Sequence, residues 1–101
     1  MASVMKPPVH PFRVWDLHGH LSGVEGDTPE ARAENLLTIA DRMGIEKLCL
    51  YMGMRWSRDP SPEELRQQNN DILRVLKAFP KRVLGFVTLN PNHVQASLAE
   101  L

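Results

Sequence analysis

The sequence is poor in cysteine and in long apolar runs. Cys49 is the single cysteine among 101 residues, which excludes an internal disulfide framework. No stretch approaches the roughly 18 consecutive apolar residues that a membrane helix needs. Residues 1–8 contain three basic or proline positions and lack the apolar core of a secretory signal. We therefore expect a cytoplasmic protein that does not bind a membrane.

An excess of charge of one sign is lacking as well. Lys plus Arg and Asp plus Glu both count 12, so the formal net charge is zero. Nucleic acids and anionic membranes are held mainly by basic fields, so neither is an expected partner. The hydrophobic share of 43% is ordinary for a globular protein. The length suffices for one small domain but not for two.

The apolar pattern predicts three strands that alternate with three helices. A proline-rich extended arm over residues 1–12 precedes the first strand, which we expect over 13–18. Short apolar segments predict the second strand over 45–51 and the third over 82–89. The order βαβαβα is typical of a parallel sheet with right-handed crossovers.

Capping residues mark the helices between these strands. The first helix is expected to begin after Thr28, and Gly44 is expected to end it in a left-handed conformation. The second begins at Ser61, which forms a capping box with Glu64, and the third begins at Val94. The apolar stripe predicted for the first helix is Leu36, Leu37, Ile39, Ala40 and Met43. The buried face predicted for the second is Leu65, Ile72, Leu76 and Phe79.

Two full helices cover only one face of such a sheet, so the other face needs a further cover. In a closed (β/α)8 TIM barrel that face lines the interior, and about 250 residues are needed to complete the barrel. We therefore expect an α/β fold in which residues 13–101 form the first three units of a truncated barrel. Such a partial barrel is expected to associate, either with copies of itself or with the missing C-terminal part.

The most informative motif lies at the end of the first predicted strand. Asp16, His18 and His20 are two residues apart, so an unbroken strand places them on one face. An isolated His-x-His is more often a solvated strand end. At the C-terminal end of a strand in a β/α repeat, where barrel active sites gather, two imidazoles instead favour a divalent metal ion. We expect Zn, with Mn, Fe and Ni as alternatives, and Asp16 as a hydrogen-bond partner of a ligand imidazole.

Weaker candidates follow the other two strands. Arg55, Trp56 and Arg58 lie in the loop after the second strand, on the same edge as the histidines, and are candidates for binding an anionic substrate. A solvated loop is the more common explanation of such residues. Asn90 ends the third strand and is a candidate for substrate binding, although Asn-Pro more often makes a turn.

Two segments of the sequence resemble a known family. Asp16-Leu17-His18-Gly19-His20-Leu21 resembles the first-strand metal motif of the amidohydrolase superfamily. Phe79-Pro80-Lys81-Arg82-Val83-Leu84-Gly85-Phe86 followed by Asn90-Pro91 is similar to the pattern of its amidohydrolase-related (amidohydrolase 2) branch. The resemblance runs from about Val14 to the last residue but covers only the front third of that family's domain.

The resemblance implies a metal-dependent barrel enzyme with a small carbonyl substrate. Members hydrolyse amide, lactone or ester-like bonds through metal-activated water, and some decarboxylate aromatic or related acids. His18 and His20 match the paired first-strand ligands. The family's other ligands and its usual general base correspond to positions beyond Leu101, so the isolated fragment is expected to bind metal weakly and to turn over little.

Two alternatives stay open. The polymerase-and-histidinol-phosphatase barrels also open with Asp-x-His-x-His, but they usually continue into Ser-Asp-Gly, where this chain has Leu21-Ser22-Gly23. They also usually end the second strand in Asp-His, where this chain has Tyr51-Met52. The non-enzymatic alternative is a truncated β/α module that self-associates through its uncovered apolar strand face.

Overall fold

The computed structural model describes residues 11–101 and contains the expected alternation of strands and helices. Of the arm expected over 1–12, all but residues 11 and 12 lies outside the described part. The elements are β1 (Trp15–Gly19), α1 (Pro29–Met43), β2 (Lys47–Leu50), α2 (Pro62–Ala78), β3 (Val83–Gly85) and α3 (Val94–Ala99). The α/β class and the βαβαβα order are confirmed.

The three strands form one open parallel sheet. Their order is β1-β2-β3, with Asp16 opposite Leu48 and Leu48 opposite Val83. The strands are shorter than the sequence predicts, with five residues in β1, four in β2 and three in β3. The Phe86 N–H extends the pairing beyond β3 by donating to the Leu50 carbonyl at 2.9 Å. Closure into a barrel stays a prediction.

Helices α1 and α2 pack together on one face of this sheet. A single apolar cluster joins Leu37 of α1 and Ile72 of α2 to Leu48, Leu50 and Val83 of the strands. The core therefore lies between the sheet and this one layer of helices.

Over residues 11–101, no helix is both long enough and apolar enough to span a bilayer.

The expected apolar stripe of α1 is partly wrong. Ile39 and Met43 are 48% and 56% exposed. Leu37 and Ala40 of the predicted stripe are buried and Leu36 packs against the core, while the other buried positions are Pro29 and Ala33. Two of the buried residues are alanines, and small side chains let the helix axis approach its neighbours closely, so the contact surface is rotated away from the larger residues. The face predicted for α2 is confirmed, since Leu65 and Ile72 are buried and Leu76 and Phe79 pack against the core.

The second face of the sheet is apolar and uncovered within the described residues. Cys49 and its register partner Leu84 alternate with the core residues of their strands, so they lie on this face. Cys49 is buried between its neighbours, whereas Leu84, Trp15 and Leu17 are 38%, 43% and 67% exposed. We call this surface, including Phe86 at 52% exposure, the open face.

Local capping residues determine where the helices begin. The Thr28 hydroxyl accepts a hydrogen bond from the Ala31 N–H, and Gly44 ends α1 at a φ of 70°. Ser61 and Glu64 form the expected capping box, with distances of 3.2 and 3.1 Å between their side chains and each other's backbone N–H. These predictions are confirmed because each depends only on neighbouring residues.

The capping box gives a direct test of the fold. Ser61→Ala removes the acceptor for the Glu64 N–H, so we expect the free energy of unfolding to fall by about 1 kcal/mol, measured by urea denaturation. Thr38→Ala is the control, since Thr38 is exposed inside α1 and alanine has the higher helix propensity. Equal losses in the two variants would contradict a specific capping role.

Candidate functional site

The two histidines flank Gly19 at the C-terminal end of β1, and Tyr51 follows the last residue of β2. Gly19 is opposite Leu50, and the Tyr51 N–H donates to the Gly19 carbonyl at 3.1 Å. A Cβ at position 19 would lie 2.9 Å from Cδ2 of Leu50. Glycine therefore permits the close strand approach that brings Tyr51 beside the histidines.

The three aromatic rings form one cluster. The centroids of His18 and His20 are 6.1 Å apart with an interplanar angle of 66°. A Zn–N bond of about 2.0–2.1 Å puts the centroid of a ligand imidazole about 3 Å from the ion, so at a tetrahedral angle two rings that share an ion lie about 5 Å apart. The observed separation is about 1 Å larger, so both side chains would have to move toward each other for their nitrogens to bind one cation.

Each imidazole also contacts a hydroxyl group. The Ser22 hydroxyl is 2.9 Å from Nδ1 of His20, and the Tyr51 hydroxyl is 2.7 Å from Nε2 of His18. When Nδ1–H of His20 donates to Ser22, the lone pair of Nε2 is free for a metal ion, which is the usual arrangement around ligand histidines. Ser22 is thus placed to orient the ring of His20.

Asp16 does not share the face of the two histidines. Between Asp16 and Gly19 the register shifts by one residue, since Asp16 is opposite Leu48 and Gly19 is opposite Leu50. This irregularity interrupts the two-residue alternation on which the expected common face depends. The Asp16 carboxylate accepts a hydrogen bond from the backbone N–H of His18 at 2.9 Å. In this structure it therefore orients the His18 backbone.

The structure does not bring the loop candidates to the histidines. Arg55, Trp56 and Arg58 are exposed, with Trp56 at 60%. Arg55 lines a cavity of about 450 Å³ between the start of α1 and the side of α2, together with Thr28 and Asp71. That cavity lies on the helix side of the sheet, away from the open face.

Asn90 joins two loops. It is 5% exposed, and its side-chain amide donates to Asp59 at 2.7 Å and to the Pro60 carbonyl at 2.9 Å, while its oxygen accepts from the Asn92 N–H at 3.0 Å. Hydrogen bonds from Asn90 and then Asn92 lower the pKa of the Asp59 carboxyl. Both amide hydrogens of Asn90 are engaged, which favours the turn interpretation over substrate binding.

Sequence reasoning missed Tyr51 and Ser22 as partners of the histidines. Ser22 lies two residues after His20, so a local signal existed. Tyr51 lies 33 residues from His18, and its only signal is its position at the end of a neighbouring strand. Within residues 11–101, no group of three or more His, Cys, Asp or Glu side chains is placed to hold a metal ion. Among the described residues, His18 and His20 thus offer two imidazole nitrogens and are joined by no third donor of these types.

No family model matches the chain, and no curated protein or solved structure is significantly similar to it. The amidohydrolase resemblance accordingly remains an interpretation of the motifs quoted above.

Arg32 fixes the loop that carries His20 and Ser22. Its guanidinium donates to the carbonyls of Gly26 at 2.8 Å, Leu21 at 3.2 Å and Met54 at 3.0 Å. The first two belong to the loop after β1, and the third belongs to the loop after β2. One side chain on α1 therefore ties together the two loops that border the candidate site.

We expect Arg32→Lys to lower the free energy of unfolding by about 1–3 kcal/mol, because an ammonium cannot reach three divergent carbonyls and leaves some of them without a donor. Urea denaturation measures the loss, and limited proteolysis should show earlier cleavage within residues 20–28. Arg66→Lys on the exposed side of α2 is the matched control. Unchanged stability and proteolysis in Arg32→Lys would refute the role given to Arg32.

Proposed function

We propose that this chain carries the first ligand pair of a metal-dependent hydrolase that cleaves an amide, lactone or ester-like bond. The observation that carries the proposal is the placement of two imidazoles, 6.1 Å apart, at the C-terminal edge of a parallel sheet. This edge is where β/α folds gather their reactive groups. The motif resemblance supports the same activity, with decarboxylation of a carboxylic acid as the alternative reaction in the same superfamily.

The cation proposed for this pair is Zn, with Mn, Fe or Ni as alternatives, since neutral imidazole suits all of these. A bound ion supplies Lewis-acid polarisation of a substrate carbonyl and activation of water. The chain's own residues hold and orient the donors. Gly19 allows the two strands to approach closely, and the Ser22 hydroxyl, 2.9 Å from Nδ1, helps to orient the ring of His20. Further ligands and a general base are proposed to come from additional β/α units.

The second candidate function is that of a β/α module that associates through the open face. The observation that favours it is the continuous exposure of Trp15, Leu17, Leu84 and Phe86 on one side of the sheet. Parallel sheets are normally covered on both faces, and exposed apolar patches commonly mark association surfaces. In this alternative the histidines have no catalytic role.

Metal content tests the first proposal. We expect the purified chain to bind Zn through the histidine pair. His18→Ala or His20→Ala should weaken the affinity for Zn by at least about tenfold, because the loss of a residue that merely hydrogen-bonds a metal ligand already costs about that much. Competition with a chromogenic chelator measures the dissociation constant. His93→Ala, at the start of α3, is the control and should change nothing. Undiminished binding in both site variants would refute the proposed metal site.

Sedimentation velocity tests the second proposal. If the open face associates, Leu17→Lys should shift the chain toward the monomer, because a buried unpaired ammonium is costly. Leu73→Lys is the matched control, since Leu73 is 60% exposed on α2, compared with 67% for Leu17. His18→Ala should leave the oligomeric state unchanged. A chain that is monomeric at every concentration would rule out self-association.

A further inference from the structure

We propose that the free edge of β3 is a docking site for an extended segment of another polypeptide, which adds a fourth parallel strand to the sheet. The segment is apolar on the side that faces the helices and basic at its C-terminal end. This site is separate from the histidine pair and from the open face, so the inference goes beyond both candidate functions. Addition of a strand to an exposed sheet edge is a common way of recognising peptides.

The backbone of β3 leaves hydrogen-bonding groups free on its outer side. In a parallel ladder the N–H and C=O of one residue point to the same side, and successive residues alternate between the two sides. The Phe86 N–H donates to the Leu50 carbonyl of β2, so the residues on either side of Phe86, Gly85 and Val87, direct their N–H and C=O groups outward. Both residues are exposed, and within residues 11–101 neither backbone group of Val87 has a hydrogen-bond partner.

A groove of about 390 Å³ runs along this edge. One of its walls is the backbone of residues 85–87, and the others belong to α2 and α3. A Cβ at Gly85 would lie 2.8 Å from Cδ1 of Leu76, which shows that this side of β3 faces α2. The Val87 side chain points to the same side and is 42% exposed. A strand in the groove therefore places every second side chain against the apolar surface of Val87 and Leu76.

Glu100 supplies the only charge among the residues that line the groove. The Asn69 amide donates to the Glu100 carboxylate at 2.9 Å and to the Thr88 carbonyl at 3.0 Å, so the carboxylate lies just beyond the C-terminal end of β3. No basic side chain of the described residues pairs with it. A basic residue at the C-terminal end of a parallel segment would meet this carboxylate. Residues 83–89 of a second copy are uncharged, so charge complementarity favours a different polypeptide.

The two edges of the sheet differ in their protection. Charged side chains commonly protect strand edges against pairing. The other edge strand, β1, carries Asp16, whose carboxylate already accepts a hydrogen bond from the His18 N–H. Residues 83–89 contain neither a charged side chain nor a proline. The edge of β3 is therefore the one that is open to a further strand, and the existing parallel pairs favour a parallel one.

The probe is a fluorescein-labelled peptide of seven residues in which valine alternates with threonine and the last residue is lysine. A second peptide ends in glutamine instead. Fluorescence anisotropy measures the affinity of the full chain for each peptide. Val87→Pro removes an outward N–H and leaves the hydrogen bond between Phe86 and Leu50 in place, whereas the isosteric control Val87→Thr keeps the N–H. Urea denaturation reports whether Val87→Pro remains folded.

We expect the wild type and Val87→Thr to bind the lysine peptide equally. Val87→Pro should bind it at least about tenfold more weakly, because a peptide carbonyl loses its donor. Glu100→Gln should weaken the lysine peptide about two- to fivefold and leave the glutamine peptide unchanged, a comparison that decides the question even if Val87→Pro is unstable.

Three results would overturn the proposal. The first is absence of peptide binding by the wild type. The second is binding that Leu17→Lys on the open face abolishes and that folded Val87→Pro retains. The third is a dimer of the chain that Val87→Pro dissociates, because a second copy would then occupy the edge.

Discussion

The close approach of β1 and β2 at Gly19 is the constraint on which the candidate site depends. Leu50 is fully buried in the core, and its side chain occupies the space that a Cβ at position 19 would need. The same approach allows the hydrogen bond between the Tyr51 N–H and the Gly19 carbonyl. The packing of one core leucine is thereby coupled directly to the separation between Tyr51 and His18.

Hydrogen-bonded polar side chains tie together the loops at the C-terminal edge of the sheet. Arg32 ties the loops after β1 and β2, as described above. Asn69 of α2 both accepts from the Thr88 N–H at 2.7 Å and donates to the Thr88 carbonyl at 3.0 Å, and Asn90 joins the loops after β2 and β3. Within the described residues, no buried side-chain nitrogen or oxygen lacks a hydrogen-bond partner. Because unsatisfied polar groups would be costly here, these contacts hold each loop in one arrangement.

The features that sequence predicted well are local ones. The cap at Ser61 and the stop at Gly44 depend on residues within one helical turn, so spacing alone identifies them. The position of Asp16 depends on a register shift against β2, which no pattern within β1 encodes. The exposure of Ile39 is decided by how closely the alanine side of α1 packs.

The candidate site likewise combines a local feature, which the sequence shows, with tertiary contacts, which it does not show. The His18-Gly19-His20 motif is visible in the sequence because its members are adjacent. The contribution of Tyr51 becomes visible only after the strands are aligned, because the contact spans 33 residues. The roles expected for Arg55 and Asn90 depended on which way their loops turn, and the tertiary hydrogen bonds of those loops decide that.

The open face links the two candidate functions. Gly19 is opposite Leu50, which faces the helices, so its neighbours His18 and His20 lie toward the open face with Leu17. A partner that covers Leu17, whether a second copy or further β/α units, therefore also comes close to the neighbouring His18. Enclosure removes competing water and strengthens every electrostatic contact with a bound cation. The two proposed functions, association and metal binding, thus involve one surface of the sheet, and the test of each bears on the other.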